Sequence, residues 1–260
     1  MKRTLLPRES VVFPEPFAPL AENPVYDSSC SPAARVYFID TDGGYYLKAA
    51  PKGALSREAD MTRFFQEKGL GAQVLAYESL EKDWLLTKAV PGEDCTHPMY
   101  TQDQKRLCDL TAQLLRRLHD TPHSGCPIAD HTRQYLARAK RNWENKCYDV
   151  DLFPDNWGYG TPQEAWRVVE ENGKYLKTDT LLHGDYCLPN IMLDNWKFTG
   201  FIDLDSGGVG DRHVDLFWGI WSLQFNLKTN AWRERFLDVY GRQDVQEELL
   251  RVVAAIEVFS

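Results

Sequence analysis

The chain has 260 residues, 43% of them hydrophobic and 26% charged, with a formal net charge of −8. That is enough for one large domain or two lobes. The acidic balance argues against the basic footprint of non-specific nucleic-acid binding, and no apolar run reaches the ~20 residues a membrane span needs. Six cysteines (Cys30, Cys95, Cys108, Cys126, Cys147 and Cys187) lack any metal-ligand spacing. With no export signal in MKRTLLPRESVVFPEP, they read as free thiols of a cytoplasmic protein.

In chain order, Arg35–Ile39 and Gly44–Lys48 are rich in β-branched and aromatic residues, and Thr41-Asp-Gly-Gly44 between them has hairpin chemistry. A helix is predicted over Ser56–Lys68, opened by Ser56 as N-cap and stopped by Gly69. Strand-like runs follow at Gln73–Glu78 and Trp84–Ala89, ending at Pro91-Gly92. Beyond this point the apolar period becomes helical: Asp103–His119, Thr132–Asn145, Gln163–Asn172, Val214–Leu227, Asn230–Tyr240 and Val245–Phe259 are the predicted helices. The expected organisation is a β-rich lobe over residues 1–90, a hinge to 92, and a mainly helical lobe over 93–260.

The densest chemistry lies in LLHGDYCLPNIMLDNWKFTGFIDLDSGGVGDRHVDL, residues 181–216. Leu181–Asp185 and Phe198–Asp203 read as short apolar strands that each end in a carboxylate. Asn190 lies on the segment between them. A single Asp or Asn here would be an ordinary turn cap. The combination is what phosphoryl transfer needs: one carboxylate to orient and deprotonate an attacking hydroxyl, and oxygen ligands to hold Mg²⁺ against nucleotide phosphates.

HGDYCLPN and GFIDLDSGGVGDRHVDL resemble the aminoglycoside phosphotransferases, in particular the 3'-phosphotransferase branch of the protein-kinase-like superfamily. The resemblance extends over roughly residues 25–260. It implies an α+β, bilobal, protein-kinase-like fold and an enzyme that moves the γ-phosphoryl group of ATP or GTP to a hydroxyl of a small molecule. It implies Asp185 as catalytic base, Asn190 and Asp203 as Mg²⁺ ligands, and Lys48 paired with Glu58 to hold the phosphates. Ser31 lies in the segment resembling the nucleotide-positioning loop, and Tyr46 matches the residue that stacks on the base. Lys88 and Val90 lie in the hinge that offers backbone hydrogen bonds to the base edge. His183, Asp211 and Asp215 are expected to brace the catalytic loop, and Cys187 to be an inert small side chain.

The resemblance weakens on the substrate side. The family's Gly-Arg after the metal aspartate is replaced by Asp205 and Ser206. A position that is often acidic is filled by the aromatic run Trp218, Trp221 and Phe225. For a polycationic aminoglycoside the remaining acids would be Asp149, Asp151, Asp155, Glu164 and Glu257, with the terminal carboxylate of Ser260. The substrate-binding set expected here is Asp151, Asp155, Glu257 and Ser260. An aminoglycoside is the favoured substrate; a macrolide, choline or a sugar-like metabolite is the alternative, and a nucleotide-binding pseudokinase is a third reading. The expected partner is a cationic small molecule, not nucleic acid or membrane, with the protein a monomer or a homodimer.

Overall fold

The computed structural model describes residues 3–151 and 158–260. It divides into two compact units, each built from two stretches of chain. The first takes residues up to His97 together with Pro189–Asp205, and the second takes Pro98–Leu188 together with Ser206–Ser260. A linear boundary near residues 90–92 does not anticipate this arrangement.

The first unit is built on a six-stranded antiparallel sheet. Its strands are β1 (Thr4–Leu5), β2 (Val25–Asp27), β3 (Arg35–Ile39), β4 (Tyr45–Pro51), β5 (Val74–Ser79) and β6 (Lys82–Lys88). Their spatial order is β1-β2-β3-β4-β6-β5. The β3–β4 hairpin turns on Asp42 and Gly43, both at positive φ, with Gly44 N–H donating to Thr41 C=O at 2.8 Å. This is the mirror-image turn that matches strand twist. Val25, Ile39 and Leu47 lie on one face, packed by Phe13 and Phe17 of the N-terminal segment and flanked by Tyr45, Trp84 and Leu86. Side chains alternate along a strand, so Tyr46 and Lys48 fall on the other face. Ala50 and Leu85 share that face and pack on Leu55 and Ala59 at the start of α1 (Ser56–Glu67).

Helix α1 forms as expected and stops at Gly69 (φ 66°), but Ser56 is not its N-cap. Leu55 holds that position and has no side-chain acceptor, while the Ser56 hydroxyl donates back to Gly53 C=O. The missing acceptor comes from another strand: buried Asp83 on β6 accepts the Leu55 N–H at 2.9 Å.

Residues 189–205 join this unit through a second small sheet. Strands β9 (Ile191–Asp194) and β10 (Lys197–Phe201) form a hairpin with Asn195 and Trp196 at positive φ. β7 (Glu93–Asp94) pairs with β9, and Phe201 N–H donates to Leu70 C=O at 2.7 Å. Gly92 (φ 95°) makes this pairing possible, because a Cβ there would fall 2.0 Å from Leu193 C=O. That pairing is why residues far apart in sequence share one unit.

The second unit is mainly helical: α2 (Pro98–Thr101), α3 (Gln104–His119), α4 (His131–Glu144), α5 (Pro162–Asn172), α6 (His213–Leu227), α7 (Arg233–Tyr240) and α8 (Glu247–Glu257). Asp103, Asp130 and Thr161 cap α3, α4 and α5 by accepting backbone N–H groups. Helix α6 has buried residues on most of its circumference and packs against α3, α7 and α8, which suits a helix in the middle of a core. A two-stranded ribbon of β8 (Thr180–Leu182) and β11 (Gly208–Gly210) carries the chain into and out of the catalytic segment. All six cysteines are free. Among the described residues, no helix is long and apolar enough to cross a membrane.

Candidate active site

In the first unit, the β3–β4–β6 sheet and α1 bring three predicted residues together. Lys48 Nζ lies 2.7 Å from Glu58 Oε2 and 3.0 Å from Asp203 Oδ1. Burial alone would lower the Lys48 pKa, but the two carboxylates outweigh it and the net shift is upward. Glu58 is pushed up, first by burial and further by the nearby Asp203 charge, with Lys48 opposing. The contacts place the Lys48 side-chain nitrogen between the Glu58 and Asp203 carboxyl groups. Asp203 is 53% exposed at its side chain and adopts a left-handed backbone (φ 60°), a conformation that costs about 1 kcal/mol or more for a non-glycine residue. Asn190 is buried, and its C=O accepts the Ile202 N–H at 3.1 Å, tying the two predicted metal ligands to one short segment.

The other nucleotide-side residues are placed as follows. Tyr46 shares the Lys48 face. Its hydroxyl accepts from Arg3 at 2.8 Å, and the Arg3 guanidinium lies 3.5 Å over the Phe38 ring beside it. Ser31 is exposed in the β2–β3 loop, where its hydroxyl accepts the Ala33 N–H at 3.1 Å. The Ser28 hydroxyl in the same loop is buried with no hydrogen-bond partner among the described residues. The side chain of Lys88 turns to the opposite sheet face, its Nζ over the Tyr45 ring and bonded to Asp42 C=O, and its N–H is taken by Gln73 C=O. Val90 is half-buried against Gly200.

Two residues that sequence reading missed support this cluster. Asp83 accepts from Ser79 Oγ at 2.7 Å and Tyr77 Oη at 3.0 Å as well as from Leu55. Burial would raise its pKa, but these bonds and one from the Gly53 backbone hold it down at about 2. It thereby fixes the first turn of α1, which carries Glu58. Arg57, one residue earlier, donates to Asp205 C=O. Asp83 closes the charged run Glu81-Lys82-Asp83 just before the predicted strand, and nothing local marked it or Arg57.

In the second unit, the loop after β8 carries His183, Gly184 and Asp185. His183 N–H and Gly184 N–H donate to the two carboxylate oxygens of Asp215 on α6, at 2.8 and 2.7 Å. His119 Nε2 lies 3.2 Å from the same carboxylate, and its Nδ1 is 2.8 Å from Tyr240 Oη. Burial lowers the His119 pKa, so the ring is neutral, with Nε2 donating to Asp215 and Nδ1 accepting from Tyr240. Asp185 N–H donates to His183 Nδ1 at 3.3 Å, and Leu188 N–H to Ser222 Oγ at 2.9 Å. Gly184 (φ 82°) tolerates no side chain, since a Cβ would lie 1.9 Å from Ser206 C=O. Half-buried Asp185 therefore sits on a loop whose backbone is fixed from behind. The Cys187 thiol is pushed up, first by burial and then by the Asp185 carboxylate beside it, so it stays protonated and inert. Asp211 accepts from Lys177 and His213 N–H groups and from His213 Nδ1.

The predicted substrate acids do not form one exposed cluster. Asp151 is exposed, with its N–H donating to Asp149 Oδ1 at 2.9 Å. Glu257 is 3% exposed and its carboxylate accepts from Tyr135 Oη at 2.5 Å. Burial pushes its pKa up, and Ser260 and Trp218 also hydrogen-bond to it. Ser260 itself is exposed. Asp155 lies outside the described residues.

A β-sheet unit with a Lys–Glu–Asp cluster, followed by an HGD loop braced by an aspartate, defines a kinase-like phosphotransferase. The family model described as "Phosphotransferase enzyme family" matches residues 32–253, and the chain belongs to the aminoglycoside phosphotransferase family. It is 48% identical over 241 residues to a probable aminoglycoside 3'-phosphotransferase of Lactococcus lactis subsp. lactis, with 92% of each chain covered. Among solved structures, APH(3'')-Id of Streptomyces rimosus superposes with a TM-score of 0.76 at 24% identity, covering 89% of this chain and 91% of the other. A type VIII aminoglycoside 3'-phosphotransferase gives 0.72 at 26%, covering 90% and 91%. A complex of the Streptomyces rimosus enzyme with ADP and streptomycin gives 0.71 at 23%, covering 86% and 90%. The expected α+β kinase-like fold and enzyme class are thus borne out.

Proposed function

We propose that this enzyme transfers the γ-phosphoryl group of ATP or GTP to a hydroxyl of an aminoglycoside, in the cytoplasm. The observation that carries the reading is the Lys48 ammonium, fixed 2.7 Å from buried Glu58 and 3.0 Å from Asp203. That is the charge arrangement needed to receive nucleotide phosphates at a defined place.

The roles follow from what each group can do. Lys48 binds phosphate oxygens, with Glu58 holding its ammonium in place. Asp185 orients the substrate hydroxyl and takes its proton, which in a loose transition state happens late. His183, Gly184 and Asp215 hold the loop so that Asp185 needs little reorganisation. Asn190 and Asp203 suit Mg²⁺: they are oxygen ligands, linked through the Asn190 C=O and the Ile202 N–H. Among the described residues no set of three or more His, Cys, Asp or Glu forms a protein cage, which fits an ion that keeps waters and phosphates as its other ligands. When bound, Mg²⁺ would neutralise phosphate charge.

The test is a coupled ADP-release assay over a panel of aminoglycosides, choline, macrolides and sugars, with ATP and with GTP. Turnover confined to aminoglycosides is expected. Turnover only with an uncharged compound would remove the aminoglycoside assignment while leaving the phosphotransferase intact.

A further inference from the structure

We propose that Arg57 is a positioning residue for the Mg²⁺ ligand Asp203: its bond to the Asp205 carbonyl braces the strained backbone that aims the Asp203 carboxylate. The proposal deepens the phosphotransferase reading and rests on Asp203 being a metal ligand.

The first turn of α1 holds the 203–205 segment at two points. Glu58 pairs with Lys48 at 2.7 Å, and Lys48 with Asp203 at 3.0 Å. Half-buried Arg57, the residue before Glu58, donates from Nε to Asp205 C=O. Successive helix positions are about 100° apart around the axis, so two neighbours on one turn reach the same short segment. Lys48, α1 and residues 189–205 all belong to the first unit. The contacts Arg57–Asp205, Asp203–Lys48 and Lys48–Glu58 thus form a closed circuit that returns to the helix where it began.

Asp203 needs bracing because its φ is 60°. A residue with a side chain is strained there and stays only where its surroundings over-determine it. On the preceding side, Phe201 N–H donates to Leu70 C=O at 2.7 Å and Ile202 N–H to Asn190 C=O at 3.1 Å. On the following side, Leu204 is fully buried, its Cδ1 3.4 Å from where a Cβ on Gly71 would lie. Apolar burial is non-directional, whereas a hydrogen bond fixes the orientation of the carbonyl it meets. Arg57 supplies that directional restraint two residues after the strained position. The Asp203 carboxylate is itself half exposed, so its direction is set by the backbone more than by packing around it. Because Arg57 binds a main-chain oxygen, the restraint does not depend on which side chain stands at position 205.

The experiment titrates Mg²⁺ into the full-length enzyme with a non-hydrolysable ATP analogue and reads binding by calorimetry, without turnover. Arg57→Met keeps aliphatic length and removes the donor. It should raise the Mg²⁺ concentration for half-maximal binding about three- to tenfold, as loss of a group supporting a metal ligand does, with little change in melting temperature. Arg57→Gln places an uncharged N–H donor the same number of bonds from Cα as the arginine Nε, so it should stay within about twofold of wild type. In an Asp203→Ala background, Arg57→Met should add less than about twofold, because the two substitutions remove the same contribution. An Arg57→Met protein with a wild-type Mg²⁺ curve, an Arg57→Gln protein as weak as Arg57→Met, or a full additional loss in the Asp203→Ala background would overturn the proposal. An Asp203→Ala protein with a wild-type Mg²⁺ curve would instead sink the metal assignment on which it rests.

Discussion

Asp203 and Asp215 are twelve residues apart in sequence and do opposite things. Asp203 is half exposed, strained at the backbone, and paired with the Lys48 ammonium. Asp215 is fully buried and spends both oxygens on the backbone of the catalytic loop and on a neutral histidine. The first keeps an exposed carboxylate, as the Mg²⁺ ligand proposed above would need; the second is an internal strut. Residue type is the same in both places. What separates them is whether the donors are fixed backbone N–H groups or a side-chain ammonium.

The comparison breaks most sharply through Asp215. Replacing it with Ala strands two buried backbone donors and His119, so stability should fall by about 3–5 kcal/mol. Urea unfolding measures this, and amide exchange at His183 and Gly184 should accelerate. A stable Asp215→Ala protein with a protected loop would show that the strut carries no load.

Asp185→Asn comes next. Turnover should drop by about 10²–10⁴, with melting temperature and nucleotide Kd little changed, because Asp215 holds the loop backbone from behind. Near wild-type kcat would remove the base assignment. Asp203→Ala should behave as a ligand site should: little change in stability, but at least about tenfold weaker Mg-nucleotide binding by calorimetry. If Asp203→Ala unfolds the protein instead, the contrast with Asp215 is lost.

The smallest effects concern pH. His119 has a lowered pKa because it is buried, so protonation favours the unfolded chain. Its contribution to stability is present above the unfolded value near 6.5 and is lost as pH falls below it. His119→Gln should flatten that limb of a stability–pH curve. Asp83, held at about 2, contributes fully above the ordinary carboxylate value near 4 and loses its contribution as pH falls through 2. Asp83→Asn should flatten only that lower limb; a change confined to pH 5–7 would contradict the assignment.

Much of the candidate site was legible because its residues lie within short segments whose local pattern is strong. The Asp-Gly hairpin, the strand carrying Lys48, the helix carrying Glu58 and the HGD loop all formed where alternation, turn chemistry and helical period placed them. Adjustments came where a partner lay far along the chain. Ser56 has the residue type of a cap, but the acceptor at this helix start is Asp83, which takes the Leu55 N–H from 28 residues further along and is invisible to any local window. The boundary near Pro91-Gly92 was drawn on composition, yet residues 189–205 belong to the first unit because β9 pairs with β7 across almost a hundred residues.

Charge by itself was the weakest guide. Lys48 with Glu58 was a correct pair because a β-strand and a helix start bring them to 2.7 Å. Glu257, an equally plain carboxylate at the chain end, was expected to meet a cationic substrate and instead lies buried against Tyr135. Sequence determined the segments and the turn residues, since those depend on near-neighbour sterics and periodicity, and it carries the motif on which the proposed phosphoryl-transfer groups rest. Tertiary structure alone decided which carboxylates stay open to a ligand and which become internal struts. Desolvation and hydrogen-bond saturation are properties of what packs around a residue, not of the residue or its neighbours in the chain.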